Sequence, residues 1–437
     1  MAAVLGNYAD NSDVAKAFAN VAAKHLTATS TAIAAGASSV DLAAGYYLLV
    51  DTSTPSTGDA MNSALLQVTN KGDITIEKKY DVPTVDKSAK DTDGNWGESA
   101  DWEIGSDVPF QIVGTLPSNY ADYEAYKYVF HDTLSAALEL NATFDETTAT
   151  KVASGVTVKI KDGADITSAF DITYSNNELK ISCSDLKTIV PSLNSASQIV
   201  IDYTAKLLNT AEIGQPGNEN KVYLEYSNNP NATGEGTSST SNTPEDKVLV
   251  FPYELDITKV DGQDDTKKLA GAEFVLLNSD KNKVAKVADG KFVEWVDVTA
   301  AVDGKITYPA GTTLTSDNDG KFAIAGLDAG NYYLRETKAP VGYNLLKDDI
   351  EVVIAATLDK SENSPALTAL TIQIDGGTAT GGNLAMGVVS ADVKNNSGAT
   401  LPETGGIGTT IFYVVGGVLF VGAAVLLVVK RRMSMKG

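Results

Sequence analysis

The chain has 437 residues, of which 43% are hydrophobic, so its length allows several folded domains and excludes a disordered protein as a class. Its 56 acidic residues outnumber 34 basic residues and give a net charge of -22, which argues against nucleic acid and anionic membrane surfaces as partners. A single cysteine, Cys183, leaves no internal disulfide, and together with only two histidines it provides no zinc-like cluster. Neither a metal nor a cofactor is expected.

Residues 1–80 predict a small, partial α+β domain. Residues 13–26 are predicted to form an amphipathic helix with Asp13 as its N-cap, and its apolar stripe is expected to pack into a core. The stripe consists of Val14, Phe18, Val21 and Leu26. Strands are predicted at 45–50, 65–68 and 74–76, separated by turn residues.

Residues 81–247 predict an antiparallel β-sandwich, because short strands recur at regular spacing. Turn residues at Asn176-Asn177 and at 214–217 separate them, and the Asn-, Gly- and Ser-rich segment 228–243 is predicted to be a linker or an exposed loop. The predicted strands are 108–113, 126–130, 156–160, 179–181, 199–203 and 222–226.

Residues 248–398 predict a second β-sandwich, with its last strand ending near Val393. The predicted strands are 255–260, 274–276, 321–324, 332–334, 350–354 and 370–374. The fold class is therefore all-β, with tandem immunoglobulin-like sandwiches behind the partial N-terminal domain.

Residues 399–437 contain Leu401-Pro402-Glu403-Thr404-Gly405, an apolar run from Ile411 to Val429 and a basic tail at 430–432. As a helix the apolar run is about 28 Å long, which is enough for a single transmembrane span. The positive tail holds that end in the cytoplasm, so everything before the span lies outside the cell. No apolar signal peptide follows Met1, so we expect an incomplete or altered N terminus.

This order of motif, span and tail resembles the cell-wall sorting signal that sortases recognise in Gram-positive bacteria. The resemblance implies cleavage between Thr404 and Gly405, transient membrane anchoring, and transfer to the cell wall by a housekeeping sortase using a peptidoglycan precursor. The alternative is an ordinary single-span anchor that contains the LPETG sequence by chance.

The third domain resembles the Cna-B-type domains of Gram-positive pilins. The residues that carry this resemblance are 257–261 (ITKVD), 269–274 (LAGAEF), 333–340 (YLRETKAP) and 342–343 (GY). In that family a first-strand Lys forms an isopeptide bond with a last-strand Asn, assisted by a Glu. The resemblance assigns these roles to Lys259, Asn395 and Glu336, with Asn396 as an alternative acceptor.

The middle domain resembles the other pilin sandwich that forms a Lys–Asn bond. The matching residues are 83–87 (PTVDK), 128–134 (YVFHDTL) and 220–230 (NKVYLEYSNNP). The resemblance implies Lys87 as nucleophile, Asp132 as acid and Asn220 as acceptor. Lys90 and Asn218 are the alternatives for nucleophile and acceptor.

Buried side chains of these types suit this chemistry. Burial disfavours charge, so the Lys would lose its proton and become a nucleophile, while the acid would keep a proton and polarise the Asn carboxamide. Ammonia would leave, and a bond joining the first and last strands would carry tension past the sandwich. The competing interpretation is a set of ordinary surface charges on unrelated strands.

Residues 74–80 (ITIEKKY) occupy the place of the pilin motif, whose Lys attacks the sortase-bound Thr of the next subunit. The resemblance assigns this linking role to Lys79, although Glu77-Lys78 replaces the Tyr-Pro of the motif, and Lys78 is one residue away. A plain edge strand with protective lysines is the alternative.

Taken together, the residues resemble an LPXTG-anchored major (shaft) pilin with isopeptide-forming domains. The implied function is that of a structural subunit of a cell-wall pilus, or fimbria, that supports adhesion. Its implied partners are a pilus-assembling sortase, further copies of itself and companion pilins. A monomeric wall-anchored adhesin is the alternative. No Ser-His-Asp set, phosphate-binding loop or dinucleotide fingerprint occurs in a convincing context, so a turnover enzyme is not expected.

Overall fold

A computed structural model describes most of the chain from residue 13 to residue 398, together with part of a C-terminal helix. The described residues are 13–25, 27, 30–34, 37, 39–52, 56–61, 63–69, 74–75, 82–231, 239–302, 305–361, 364–398 and parts of 419–431. Lys78, Lys79 and the motif at 401–405 lie outside them, as does most of the predicted span at 411–429. Among the described residues, helix is present within 419–431, but none of the helices is long and apolar enough to cross a bilayer.

The N-terminal module contains helix α1 (Asp13–Lys24) and a hairpin of β1 (Gly45–Val50) and β2 (Ser63–Val68), which the helix packs against. The predicted face of the helix was wrong, because Val14 and Val21 are exposed whereas Ala15 and Ala19 are buried. Small side chains allow a helix to approach a hairpin closely, so alanine rather than valine forms the contact. Residues 74–75 of the third predicted strand are not in a strand, and residue 76 lies outside the described residues.

The middle domain is built from fifteen strands among the described residues. They are β3 (Val85–Lys90), β4 (Trp96–Gly97), β5 (Ser99–Asp101), β6 (Asp107–Thr115), β7 (Tyr128–Leu134), β8 (Leu138–Leu140), β9 (Thr143–Phe144), β10 (Val152–Ser154), β11 (Val156–Ile160), β12 (Asp171–Ser175), β13 (Glu178–Cys183), β14 (Gln198–Leu207), β15 (Asn218–Ser227), β16 (Thr240–Asn242) and β17 (Asp246–Phe251). A short helix, α2 (Leu186–Ile189), and two 3-10 turns at Tyr120–Asp122 and Thr167–Ala169 connect them.

Apart from the β9–β10 pair, these strands form the two sheets of a sandwich. One sheet has the order β11-β14-β6-β3-β4, with β8 also on β14, and the other has the order β12-β13-β7-β15-β17-β5, with β16 on β15. Alternate residues of β6 and β14 are buried, as expected for strands with one face on a core. Asn176 and Asn177 both have positive φ in the β12–β13 turn, a conformation that Asn tolerates well. The strand predicted to begin at Tyr126 begins two residues later.

The third domain contains the remaining strands. They are β18 (Tyr253–Asp261), β19 (Glu273–Leu277), β20 (Lys283–Ala288), β21 (Lys291–Asp297), β22 (Thr299–Val302), β23 (Lys305–Thr307), β24 (Leu314–Thr315), β25 (Lys321–Leu327), β26 (Gly330–Lys338), β27 (Ile350–Asp359), β28 (Ala366–Ile374), β29 (Thr380–Gly381) and β30 (Val388–Asn395). Apart from the β22–β23 hairpin they form one sheet, in the order β29-β28-β27-β26-β19-β20-β21-β25-β18-β30 with β24 on β19. The sheet curls around its own core, and β18 and β30 pair in parallel.

The boundary predicted between residues 247 and 248 falls inside β17, which belongs to the middle sheet. Along this strand Val248 and Val250 pack into the middle core, whereas Leu249 and Phe251 pack into the third. Side chains alternate across a strand, so one strand can serve both cores. The two sandwiches therefore share β17 rather than being separated by a linker.

Buried polar contacts reinforce this junction. Tyr253 Oη donates to Asp101 Oδ2 at 3.1 Å, and Lys360 Nζ lies 2.6 Å from Asp91 Oδ2. Burial and the neighbouring Asp91 carboxylate raise the pKa of Asp101 to about 7. The junction thus contains a carboxyl group whose pKa lies near neutral pH.

Candidate functional site

Three residues predicted for the middle domain meet inside its sandwich. Lys87 lies on β3 in one sheet, whereas Asp132 on β7 and Asn220 on β15 lie on neighbouring strands of the other sheet. All three side chains are completely buried. They take inward positions in the alternating patterns of their strands, so the two sheets face each other through these polar groups.

A hydrogen-bond network links the three side chains. Lys87 Nζ donates to Asp132 Oδ1 at 2.5 Å and to Tyr203 Oη at 2.9 Å. Asn220 Nδ2 donates to the same Tyr203 oxygen at 2.7 Å, and the Tyr203 hydroxyl donates to Asp132 Oδ2. The rings of Phe110 and Tyr203 flank the ammonium group, with centroids 5.5 and 5.3 Å from Nζ.

The buried environment favours the neutral forms of the ionisable pair. Burial lowers the pKa of Lys87, and the Asp132 carboxylate only partly offsets this effect. Burial likewise raises the pKa of Asp132 above its usual value. Proton transfer along their 2.5 Å contact would give a neutral amine next to a carboxylic acid.

The residues predicted for the third domain also come together. Lys259 lies on β18, Asn395 on the adjacent parallel strand β30, and Glu336 on β26 across the core. Lys259 and Asn395 are completely buried, and Glu336 is 5% exposed. Lys259 is paired with Val393 in the parallel β18–β30 register. The acceptor Asn395 lies two residues further along β30.

Contacts within this set differ from those in the middle set. Asn395 Nδ2 donates to Glu336 Oε1 at 2.9 Å and Oε2 at 3.0 Å, whereas Lys259 Nζ donates to the Val393 carbonyl at 2.8 Å. Burial lowers the pKa of Lys259 to about 8, against the opposing effect of Glu336. A substantial fraction of this amine is therefore neutral near physiological pH.

Both acceptor amides keep a buried oxygen free of hydrogen bonds. Neither Asn220 Oδ1 nor Asn395 Oδ1 has a partner among the described residues. The Asn395 nitrogen is held by both Glu336 oxygens and by the Asn344 carbonyl at 3.0 Å, so the group that would leave is fixed while the amide oxygen has no hydrogen bond within the described part of the chain. That arrangement is suited to attack by an amine at the carboxamide carbon.

The structure does not bring the alternative residues into these sets. Lys90 is half-buried and lies over the Trp96 ring at 5.9 Å, while the Asn218 amide donates to the Glu212 and Val250 carbonyls. Asn396, next to the third-domain acceptor, is exposed.

In the middle domain the acceptor Asn220 does not lie on the last strand, although a bond between the first and last strands was expected. Asn395 lies on the last strand of the third domain, as expected, but Asn220 lies on β15, and two further strands of the middle domain follow. Phe251 at the end of β17 comes 31 residues after Asn220. A Lys87–Asn220 bond would therefore leave this segment outside the closed loop.

Sequence reasoning missed Tyr203. The residue occupies an inward position of β14, in a pattern typical of an ordinary core aromatic residue. Its packing against Phe110, with ring centroids 5.4 Å apart, also fits that role. Only the convergence of three strands on its hydroxyl distinguishes it.

Comparisons with known proteins agree with the fold and the C-terminal motif. Residues 253–364 match the model of a prealbumin-like fold domain, and residues 393–434 match the LPXTG cell wall anchor motif. The trypsin-resistant surface T6 protein of Streptococcus pyogenes serotype M6 is 26% identical over 424 residues, covering 82% of this chain and 70% of that protein.

Two further matches extend this relationship. Fimbrial subunit type 1 of Actinomyces viscosus is 26% identical over 258 residues, which cover 55% of this chain and 42% of that protein. The solved T6 backbone pilin of S. pyogenes serotype M6 superposes with a TM-score of 0.50 at 19% identity over 82% of both chains, which is a likeness of fold. The chain therefore carries an LPXTG cell wall anchor motif that directs it to the cell-wall surface, is built as tandem β-sandwich domains, and is homologous to the T6 surface protein of S. pyogenes.

Proposed function

We propose that this chain is the repeating backbone subunit of a sortase-assembled pilus, strengthened by two internal Lys–Asn isopeptide bonds. The relatives that are pilus or fimbrial subunits support this role. The observation that carries the proposal is the burial of a complete Lys, acid and Asn set in each of two consecutive sandwiches. Burying a charged or polar side chain is costly, and placing two ionisable groups and an amide together in each of two domains requires a chemical or structural benefit.

In each sandwich the neutral Lys amine attacks the Asn side-chain carbon. An Nζ–Cγ bond forms, the Cγ–Nδ2 bond breaks and the nitrogen departs as ammonia after gaining the proton that the amine loses. The acid supplies and receives protons during the exchange. The chain performs this reaction once per bond on itself, so it acts as a structural protein rather than as a turnover enzyme.

Subunits are joined by separate chemistry at the surface. A pilus-assembling sortase cleaves after Thr404 and transfers its carbonyl to Lys79 of the next copy, and a housekeeping sortase transfers the finished polymer to a peptidoglycan precursor. Lys87 cannot serve as the linking amine, because it is completely buried. Companion pilins complete the fibre.

Mass spectrometry of the intact ectodomain tests the internal bonds. Two bonds reduce the mass by two ammonia molecules, and peptide mapping should recover Lys87 joined to Asn220 and Lys259 joined to Asn395. An unreduced mass would refute the bonds. Wall extracts test assembly, because a backbone subunit gives a covalent ladder whereas a monomeric adhesin gives a single band.

A further inference from the structure

The Tyr203 hydroxyl lies at the centre of the middle set. Its oxygen is 2.9 Å from Lys87 Nζ and 2.7 Å from Asn220 Nδ2, and it donates its own hydrogen to Asp132. Thus Tyr203 touches the nucleophile, the leaving nitrogen and the acid. No other described side chain is hydrogen-bonded to all three.

The Lys–Asn–acid set of the third domain is organised differently from that of the middle domain. There the acid holds the acceptor directly, with both Glu336 oxygens on Asn395 Nδ2. In the middle set Asp132 bonds to the Lys and to the Tyr hydroxyl, and its described hydrogen bonds do not include Asn220. The acid therefore reaches the acceptor through Tyr203.

We propose that Tyr203 is a catalytic proton relay for formation of the Lys87–Asn220 bond. This inference rests on the proposed function, because it requires that bond. As Nζ bonds to Cγ of Asn220, Tyr203 Oη takes one proton from Nζ, while its own hydroxyl hydrogen turns from Asp132 Oδ2 to Nδ2, which lies 2.7 Å from the same oxygen. The Cγ–Nδ2 bond then breaks, ammonia leaves, and the tyrosine ends the step as a neutral phenol.

The surroundings of Tyr203 suit a relay rather than a permanent base. Burial raises the pKa of the Tyr203 phenol well above its usual range, so the phenolate does not accumulate. The contact with Asp132 orients the hydroxyl, and packing against Phe110 fixes the ring. The Tyr203 oxygen is therefore in place before the bond forms, and only its hydroxyl hydrogen has to turn towards Asn220 Nδ2.

Replacing the tyrosine by phenylalanine removes the hydroxyl and keeps the ring. Cell-free synthesis of the Tyr203→Phe chain, quenched at intervals and mapped by mass spectrometry, gives the rate at which the Lys87–Asn220 peptide appears. We expect a fall of about 100-fold, the lower end of the usual contribution of general acid–base catalysis. The Lys259–Asn395 bond of the same chain is the internal control and should form at its normal rate.

Tyr128→Phe is the matched variant. It removes another buried hydroxyl of the same core, which donates to the Thr115 carbonyl at 2.7 Å, and it should leave the rate unchanged. Equal slowing in both variants would indicate general weakening of the core and overturn the relay. So would a normal rate in Tyr203→Phe.

A second measurement does not depend on the variant folding. The wild-type rate should be slower in D₂O, since two protons move in the relay step, and an unchanged rate would overturn the relay. If the wild-type chain forms no Lys87–Asn220 bond at all, the proposed bond itself fails. That result differs from failure of the relay alone, in which the bond is present but indifferent to the hydroxyl.

Discussion

Replacing Glu336 by glutamine should prevent the Lys259–Asn395 bond while keeping the size of the side chain. Gln can neither accept nor return a proton during the exchange, so the Lys259 amine meets an acceptor without acid–base assistance. The intact ectodomain should then lose one ammonia molecule rather than two. Glu294→Gln, which changes an exposed carboxylate paired with Lys286, is the matched control. This variant should form both bonds and therefore lose two ammonia molecules.

The stability effect follows from the size of the loop that the bond closes. Residues 259 and 395 enclose a loop of about 136 residues, for which the chain-entropy relation gives about 5 kcal/mol. For a domain of this size that corresponds to a fall in Tm of about 10–20 °C. Calorimetry of the two variants and wild type measures this shift. Complete bond formation in Glu336→Gln, or a lost bond without a lower Tm, would refute the reasoning.

Three further predictions concern anchoring, assembly and pH. Thr404→Ala should abolish wall attachment without changing folding or export, as measured by wall fractionation; normal wall-linked protein would contradict the sorting role. Lys79→Arg should remove high-mass polymers on immunoblots but leave wall-linked monomer and both internal bonds, whereas loss of polymers only in Lys78→Arg would move the linkage by one residue. The third prediction uses the junction carboxyl group. Because the pKa of Asp101 is about 7 in the folded state and near 4 in an unfolded chain, the folded protein keeps this proton longer, and its stability falls as pH rises from about 4 to 7. Asp101→Asn should therefore gain stability relative to wild type across that interval in urea unfolding, and a pH-independent difference would refute the assignment.

The sequence was sufficient to predict the architecture because strand signals are local. Alternating residues and turn residues predicted most of the long strands of both sandwiches, and family motifs identified the side chains that converge in each core. The buried face of α1 was not predictable in this way, since hydrophobicity favours Val21 while the tertiary contact selects Ala19. Tyr203 was missed for a related reason: its role depends on three strands that are distant in sequence.

The contact between the middle and third domains was also not predictable from the sequence alone. Gly214 has positive φ, and a β-carbon on it would lie 2.1 Å from the Gly387 backbone nitrogen, so the two domains touch through residues that carry no side chain. Such a contact leaves no hydrophobic pattern. The sharing of β17 between two cores is similarly hidden, because a strand that is buried on both faces shows a continuous apolar run rather than a boundary.

The position of Asn220 before the end of its domain has a mechanical consequence. Once Lys87 and Asn220 are joined, tension passes through the bond and bypasses the chain between them. The 31 residues from Asn220 to Phe251 remain in the load path and could lengthen by up to about 100 Å when drawn out. Asn220 pairs with Val248, so both ends of this segment start at the open end of the β15–β17 hairpin. Tension applied at this open end would break the β15–β17 hydrogen bonds one pair at a time, instead of shearing all of them together. Within the middle domain, this segment would then be the part that lengthens under load, and the work done in breaking these hydrogen bonds would be dissipated.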